Sequence, residues 1–180
     1  VLLPANSNAP VYVPLGISNS QQVYVDLGQG SVVSITSNNQ AEQSAVFNAL
    51  IVSAVFTTNN RLRVILYTRN SHQSVDFAGI SVASSFAEVL GLACLSARNS
   101  VVFSREVIRD DEVSQLREND IAVVCQNKLA SATTTLHAVD STWHLMPSNL
   151  SIGPFGLSVE QVAALSELLN DVVRCVDEVS

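Results

Sequence analysis

Lysine is nearly missing from this chain. Lys128 stands alone among 180 residues, beside eight arginines and sixteen acids. Its scarcity removes the residue most used to hold phosphate, nucleic acid or anionic membrane, and a formal charge of −7 adds a field that repels phosphate backbones. Charge of either sign is scarce, at 14% of residues where a soluble domain carries about 25%. Polar surface must come from Ser, Asn, Thr and Gln. So little charge predicts cover by a protein partner, by further parts of the same polypeptide or by a second copy in a homo-oligomer.

Other absences narrow the reading further. The longest apolar stretch, residues 77–95, is broken by Glu88, three serines and two glycines, so no membrane span is expected. The start has no charged segment leading into an apolar run, hence no secretory signal. Cys94, Cys125 and Cys175 are odd in number and widely spaced, matching neither a disulfide framework nor a zinc pattern. Their apolar neighbours predict buried, reduced thiols and an intracellular setting. A chain that opens at Val1 predicts a product processed or excised from a longer polypeptide, and a viral structural or replicase-associated domain would suit this profile.

Catalytic signatures are missing too. There is no G-x-S-x-G elbow, no P-loop and no G-x-G-x-x-G; Gly28 and Gly30 lack the third glycine and the helix that must follow. His137, Asp140 and His144 form H-x2-D-x3-H, whose residue types suit zinc or iron. Strand alternation puts 137 and 140 on opposite faces and no fourth ligand is evident, so polar residues at a sheet edge and turn are expected, and no metal. Asp110-Asp111-Glu112 reads as the negative start of a helix.

What is present is a core. At 47% apolar residues, 180 residues are enough for one folded domain. Residues 1–20, with Pro4, Pro10 and Pro14, predict an extended arm holding a short strand at 11–15, and residues 21–180 a single mixed α/β domain. Residues 22–27 and 31–36 alternate around Gly28-Gln29-Gly30 and predict a hairpin. Residues 40–56 recur at helical spacing behind Asn39, an available cap. Strands are expected at 61–68, 101–108, 121–125, 133–139 and 142–145, and helices at 74–95 and 110–118. Residues 151–156 read as a loop. Ser158 and Gln161 form a capping box opening a last helix over 158–179, in which Val162, Leu165, Leu169, Val172, Val176 and Val179 make one seam. Docking of that seam on the domain itself is the expectation.

This order predicts a mixed sheet flanked by helices, with Leu66, Val123 and Val124 buried. Residues 22–76 resemble the front of a ribonuclease H-like domain: a strand with an acid (VYVDLGQG), a strand (SVVSIT), a helix (QSAVFNALIVSAV), then a strand (VILYTRNS). The resemblance covers under a third of the chain. It implies a metal-dependent hydrolase of nucleic acid with Mg²⁺ held by clustered carboxylates. Asp26 matches the first of these, and Glu42 lies one turn before Val46, which stands where a helical acid is required. Arg69 stands at the strand-end aspartate position, and a fixed cation repels a metal. Without a matched carboxylate set, the leading expectation is a non-enzymatic interaction or assembly domain without a cofactor. Arg61, Arg63 and Arg69 form its one local basic cluster and are candidate binding residues.

Overall fold

The computed structural model describes residues 10–57, 62–70, 79–95 and 99–177, from residue 169 onward by backbone alone. The chain opens with β1 (Tyr12–Ser18) and β2 (Gln21–Asp26), an antiparallel pair turned by Asn19 and Ser20, both at positive φ. It then runs through β3 (Val32–Thr36), α1 (Gln40–Thr57), β4 (Leu62–Tyr67), β5 (Ile80–Ala83) and α2 (Phe86–Cys94). After these come β6 (Asn99–Ser104), α3 (Asp110–Glu118) and β7 (Ala122–Cys125). Finally β8 (Thr134–Val139), β9 (Thr142–Met146) and β10 (Leu150–Pro154) lead into α4 (Val159–Asp177).

All ten strands join one sheet in the order β2-β1-β10-β9-β8-β3-β7-β6-β4-β5. From β8 to β5 the neighbours are parallel; from β8 back to β2 they are antiparallel. The parallel half needs cover on both faces. α1 and the start of α4 share one core with β1, β8, β10 and the α1-facing side of β3, β4 and β6. On the opposite face α2 and α3 pack on Val32, Ile65, Tyr67, Val102 and Val123. Leu66, Val123 and Val124 are fully buried. The expected α/β class, a mixed sheet flanked by helices in one domain with an amphipathic last helix, is borne out.

Several local expectations are corrected. Residues 22–27 and 31–36 form no hairpin: β2 pairs with β1, and β3 pairs with β7 and β8. The Asp26 carboxylate accepts from the backbone N–H of Val11 (2.9 Å) and Gly28 (2.8 Å), which fixes the exit from β2. The glycine-rich turn closes through Ser31 N–H to Gly28 C=O (3.1 Å) and delivers the chain to the parallel half. Within the expected N-terminal arm residues 12–18 are strand, β1 lying between β2 and β10, and residues 1–9 lie outside the described ones. Pro14 is accommodated because the register with β2 slips between Pro14 and Gly16, a bulge that spares its missing N–H. Gly16 is required there, since a Cβ would sit 2.4 Å from Gly153 C=O on β10.

The helix expected over 74–95 is instead β5 followed by α2, residues 71–78 lying outside the described ones. Gly79 at φ +101° leads into the strand, and Ser85 caps the helix through the Glu88 N–H. Residues 150–154 are β10 rather than loop, and Cys94 is exposed where a buried thiol was expected. On α4, the Ser158 and Gln161 box forms. Val162 is buried and Leu165 packs against the α1-side core, so the first part of the seam docks on the domain itself. The seam from Leu169 onward lies outside the described side chains.

Candidate functional site

In open parallel sheets, ligands bind beyond the carboxyl ends of the strands, where neighbouring connections leave in opposite directions. That place here is the end of β3. The chain leaves it through α1 to β4 on one side, while β8 flanks it on the other. The ends of β3, β7, β6 and β4 bring together the turn Ser37-Asn38-Asn39, the segment Gln126-Asn127, the segment Arg105-Glu106, and Thr68-Arg69.

The turn from β3 into α1 is closed on itself. Asn39 Oδ1 accepts from the N–H groups of Ala41 (3.0 Å) and Glu42 (3.3 Å), Ser37 Oγ accepts from Asn39 N–H (3.0 Å), and Asn39 Nδ2 donates to Glu42 (3.0 Å). Gln43 Nε2 then ties α1 to the strand ends, donating to the carbonyls of Ile35 (2.6 Å) and Gln126 (2.5 Å). Ser34 Oγ donates to Asn127 C=O (2.7 Å), and the Asn127 side chain both accepts from and donates to the Ile108 backbone. These polar groups at the ends of β3 and β7 are spent on one another, while Gln126 Nε2 is buried without a partner.

Beside them stands Arg105. Its backbone N–H donates to Tyr67 C=O (3.0 Å), extending the β6–β4 pairing by one bond. Its guanidinium lies 5.2 Å from the centre of the Phe47 ring, and Nη2 donates to Asn48 Oδ1 (2.6 Å). Phe47 in turn meets Phe103 edge to face, ring centres 5.6 Å apart. Asn48 is buried and passes the contact on, Nδ2 donating to Leu157 C=O (3.2 Å) at the entry to α4. Burial lowers the Arg105 pKa, and its Nε–H is buried without a partner. The ion pairs among the described residues both belong to Arg109.

Next to it, Glu106 accepts from the Arg69 N–H (2.7 Å). The Arg69 pKa is raised, first by its hydrogen bond and charge interaction with the Tyr67 hydroxyl and then by Glu106. These strand ends therefore carry two arginines, the exposed Lys128 just past Asn127 and, counting Glu42 at the head of α1, two acids.

A bound nucleoside triphosphate with its magnesium would need glycine N–H groups and a lysine at such a strand-to-helix turn, a hydroxyl on the metal and a strand-end aspartate. The turn has no glycine and no lysine, its helix N–H groups are capped by Asn39, and Glu42 puts a negative charge in the first turn. The end of β6 is Ser104, whose hydroxyl donates to Glu106 C=O (2.8 Å), followed by a cation. The residues do not fit that group.

The residues singled out in the sequence scatter. Asp26 closes β2 at the sheet edge, with four strands between β2 and β3, and the structure does not bring it beside Glu42. Val46 is buried in the core. Arg63 and Arg69 lie at opposite ends of β4, about 20 Å apart at 3.3 Å per residue, so they form no joint patch; Arg61 is outside the described residues. His137 and His144 face each other across β8 and β9, with Thr36 Oγ1 2.7 Å from His137 Nδ1. Asp140 and Ser141 make the tight turn between those strands, both at positive φ. No group of three potential metal ligands occurs among the described residues. No helix among them is long and apolar enough to cross a membrane. Arg105, Phe47 and Asn48 escaped the sequence reading, and only the arginine's place directly after an apolar strand signals them.

No family model and no curated protein matches this chain. Solved structures do. One is EccC of Thermomonospora curvata (ATPases 2 and 3) in complex with a signal sequence peptide, at a TM-score of 0.56 and 9% identity over 87% of this chain. Another is the cytoplasmic domain of the type VII secretion ATPase EccC of that organism, at 0.52 and 10% over 87%. The chain spans 42% and 27% of those two structures. At such identity the likeness is one of fold.

Proposed function

We propose that this domain is an ATPase-like α/β fold that works without nucleotide, as a protein-interaction or assembly domain. The observation that carries the reading is the turn from β3 into α1: it has the place of a phosphate-binding turn, and its chemistry opposes phosphate. Asn39 consumes helix N–H groups, Glu42 supplies like charge, and the turn itself carries no lysine. The structural likeness to ATPase segments of EccC, one of them bound to a signal sequence peptide, supports a fold able to serve a protein ligand. Low charge and an overall −7 point the same way, since they disfavour nucleic acid and leave surface suited to cover by protein.

Two assays test this. Phosphate release from MgATP by the purified domain should not exceed the protein-free control. Partners captured from the native source by the wild-type domain should be lost with Ser37→Arg or Arg105→Glu and kept when the outward acids of α3 are neutralised. Hydrolysis that disappears in Glu106→Gln would overturn the reading. A nuclease reading gains no support from the placement of Asp26 and Glu42, and Mg²⁺-dependent cleavage of an RNA–DNA hybrid, lost in Asp26→Asn, is the result that would restore it.

A further inference from the structure

Arg105 is a cation in an unusual position. It is half-buried, it stacks on an aromatic ring, and its one side-chain hydrogen bond goes to a neutral amide, Asn48 Oδ1. Its Nε–H is buried with no acceptor. Withdrawing a charge from water is costly unless it is paired, and an orphaned buried donor adds to that cost. Such a group calls for a specific explanation, and a ligand that completes it is one. The site lies at the strand ends, where a sheet of this topology presents ligands.

We propose that Arg105 anchors a carboxylate-binding site, and that the carboxylate is presented by a partner protein, as an acidic side chain or as a chain terminus. This rests on the interaction-domain reading above and names the chemistry by which the partner is held. The class of anion follows from local charge. The ion pairs among the described residues both belong to Arg109, and Arg69 has Glu106 beside it, so Arg105 is a guanidinium of these strand ends left without an acid partner. A single unpaired guanidinium matches a monoanion, whereas a phosphate dianion would also meet repulsion from Glu42 and Glu106. A planar carboxylate spans two adjacent guanidinium nitrogens, so one that displaces Asn48 Oδ1 and so reaches the Nε–Nη2 edge, closed to solvent in the free domain, satisfies the orphan donor. It also competes with Asn48 Oδ1 for Nη2. Because Asn48 Nδ2 reaches Leu157 C=O, occupancy is felt at the entry to α4.

The test is nuclear magnetic resonance on the whole chain with labelled arginine and asparagine side chains. Two capped tripeptides serve as probes, one whose carboxylate is a glutamate side chain and one whose carboxylate is its terminus. At constant ionic strength, at least one should shift the Arg105 Nε–H resonance saturably, move the Asn48 amide with it, and leave Arg63 and Arg109 in place. The peptide that acts identifies the source. Arg105→Lys, which keeps the charge without the fork, should bind at least about tenfold more weakly. Shifts shared by all arginines, or none with either peptide, would overturn the carboxylate site while leaving the interaction-domain reading standing. A saturable response to MgATP or inorganic phosphate instead would overturn both.

Discussion

Phe47 ties the candidate site to the core, and replacing it together with Arg105 isolates the interaction that holds the guanidinium in place. Phe47 is fully buried, meets Phe103 edge to face at 5.6 Å, and lies under Arg105 at 5.2 Å. Phe47→Leu keeps most of the apolar volume and removes both ring interactions. An aromatic pair contributes about 0.5–1.5 kcal/mol and a cation over a ring about 0.5–2 kcal/mol, so the single change should cost about 1–3.5 kcal/mol. Arg105→Met removes the cation and leaves Phe103 in contact with the ring. In a double-mutant cycle by urea unfolding, the coupling between the two positions should then be about 1 kcal/mol, the cation–ring share alone. A coupling below about 0.3 kcal/mol would mean that the two groups do not sense each other, and the derivation of the site from this contact would fail.

Other outcomes follow from the same structure. Val162→Ala on α4 should destabilise the whole domain by about 1.5–3 kcal/mol, because two buried methyl groups leave the α1-side core, whereas exposed Leu168→Ala should change stability by under about 0.5 kcal/mol. If both are neutral in thermal unfolding, α4 does not dock as described. Native alkylation followed by peptide mass spectrometry should modify exposed Cys94 well before Cys125, whose thiol burial pushes up to about 11. Equal rates would contradict the burial of β7. The Asp110 carboxyl is held below its ordinary range by hydrogen bonds from the Ser131 side chain and backbone. Its contribution is therefore present above the ordinary aspartate pKa of about 3.9 and is lost as pH falls through the depressed folded value. Asp110→Asn should melt lower than wild type at neutral pH, with the gap closing in acid; a gap that widens in acid would reverse the sign.

Much of the architecture was legible because periodicity and capping are local. α1 starts behind Asn39, α3 spans Asp110–Glu118, and α4 opens on Ser158 and Gln161, where the sequence places them. In the parallel half β4, β6 and β7 announced themselves as short apolar runs, since burial on both faces removes alternation, whereas β5 fell within the segment expected as a helix. Pairing is another matter. Gly28-Gln29-Gly30 has hairpin chemistry, yet β3 finds β7 and β8 far along the chain, and nothing between residues 22 and 36 encodes those partners. β1 was expected only as a short strand at 11–15 in an arm broken by prolines, a bulge being invisible until the partner strand is known. The site was less legible still. Asp26 and Glu42 drew attention as acids at suggestive spacings, but four intervening strands separate β2 from β3. Arg105 looked like any surface arginine until Phe47 and Asn48, fifty-odd positions earlier, came up beneath it.

Whether the strand ends hold a triphosphate is decided most directly by calorimetric titration of the domain with MgATP. The capped turn at Asn39, the charge of Glu42 and the lack of a lysine on that turn predict no saturable heat. A one-to-one isotherm with a Kd below about 100 μM, equivalent to more than about 5 kcal/mol of binding, would contradict the nucleotide-free reading.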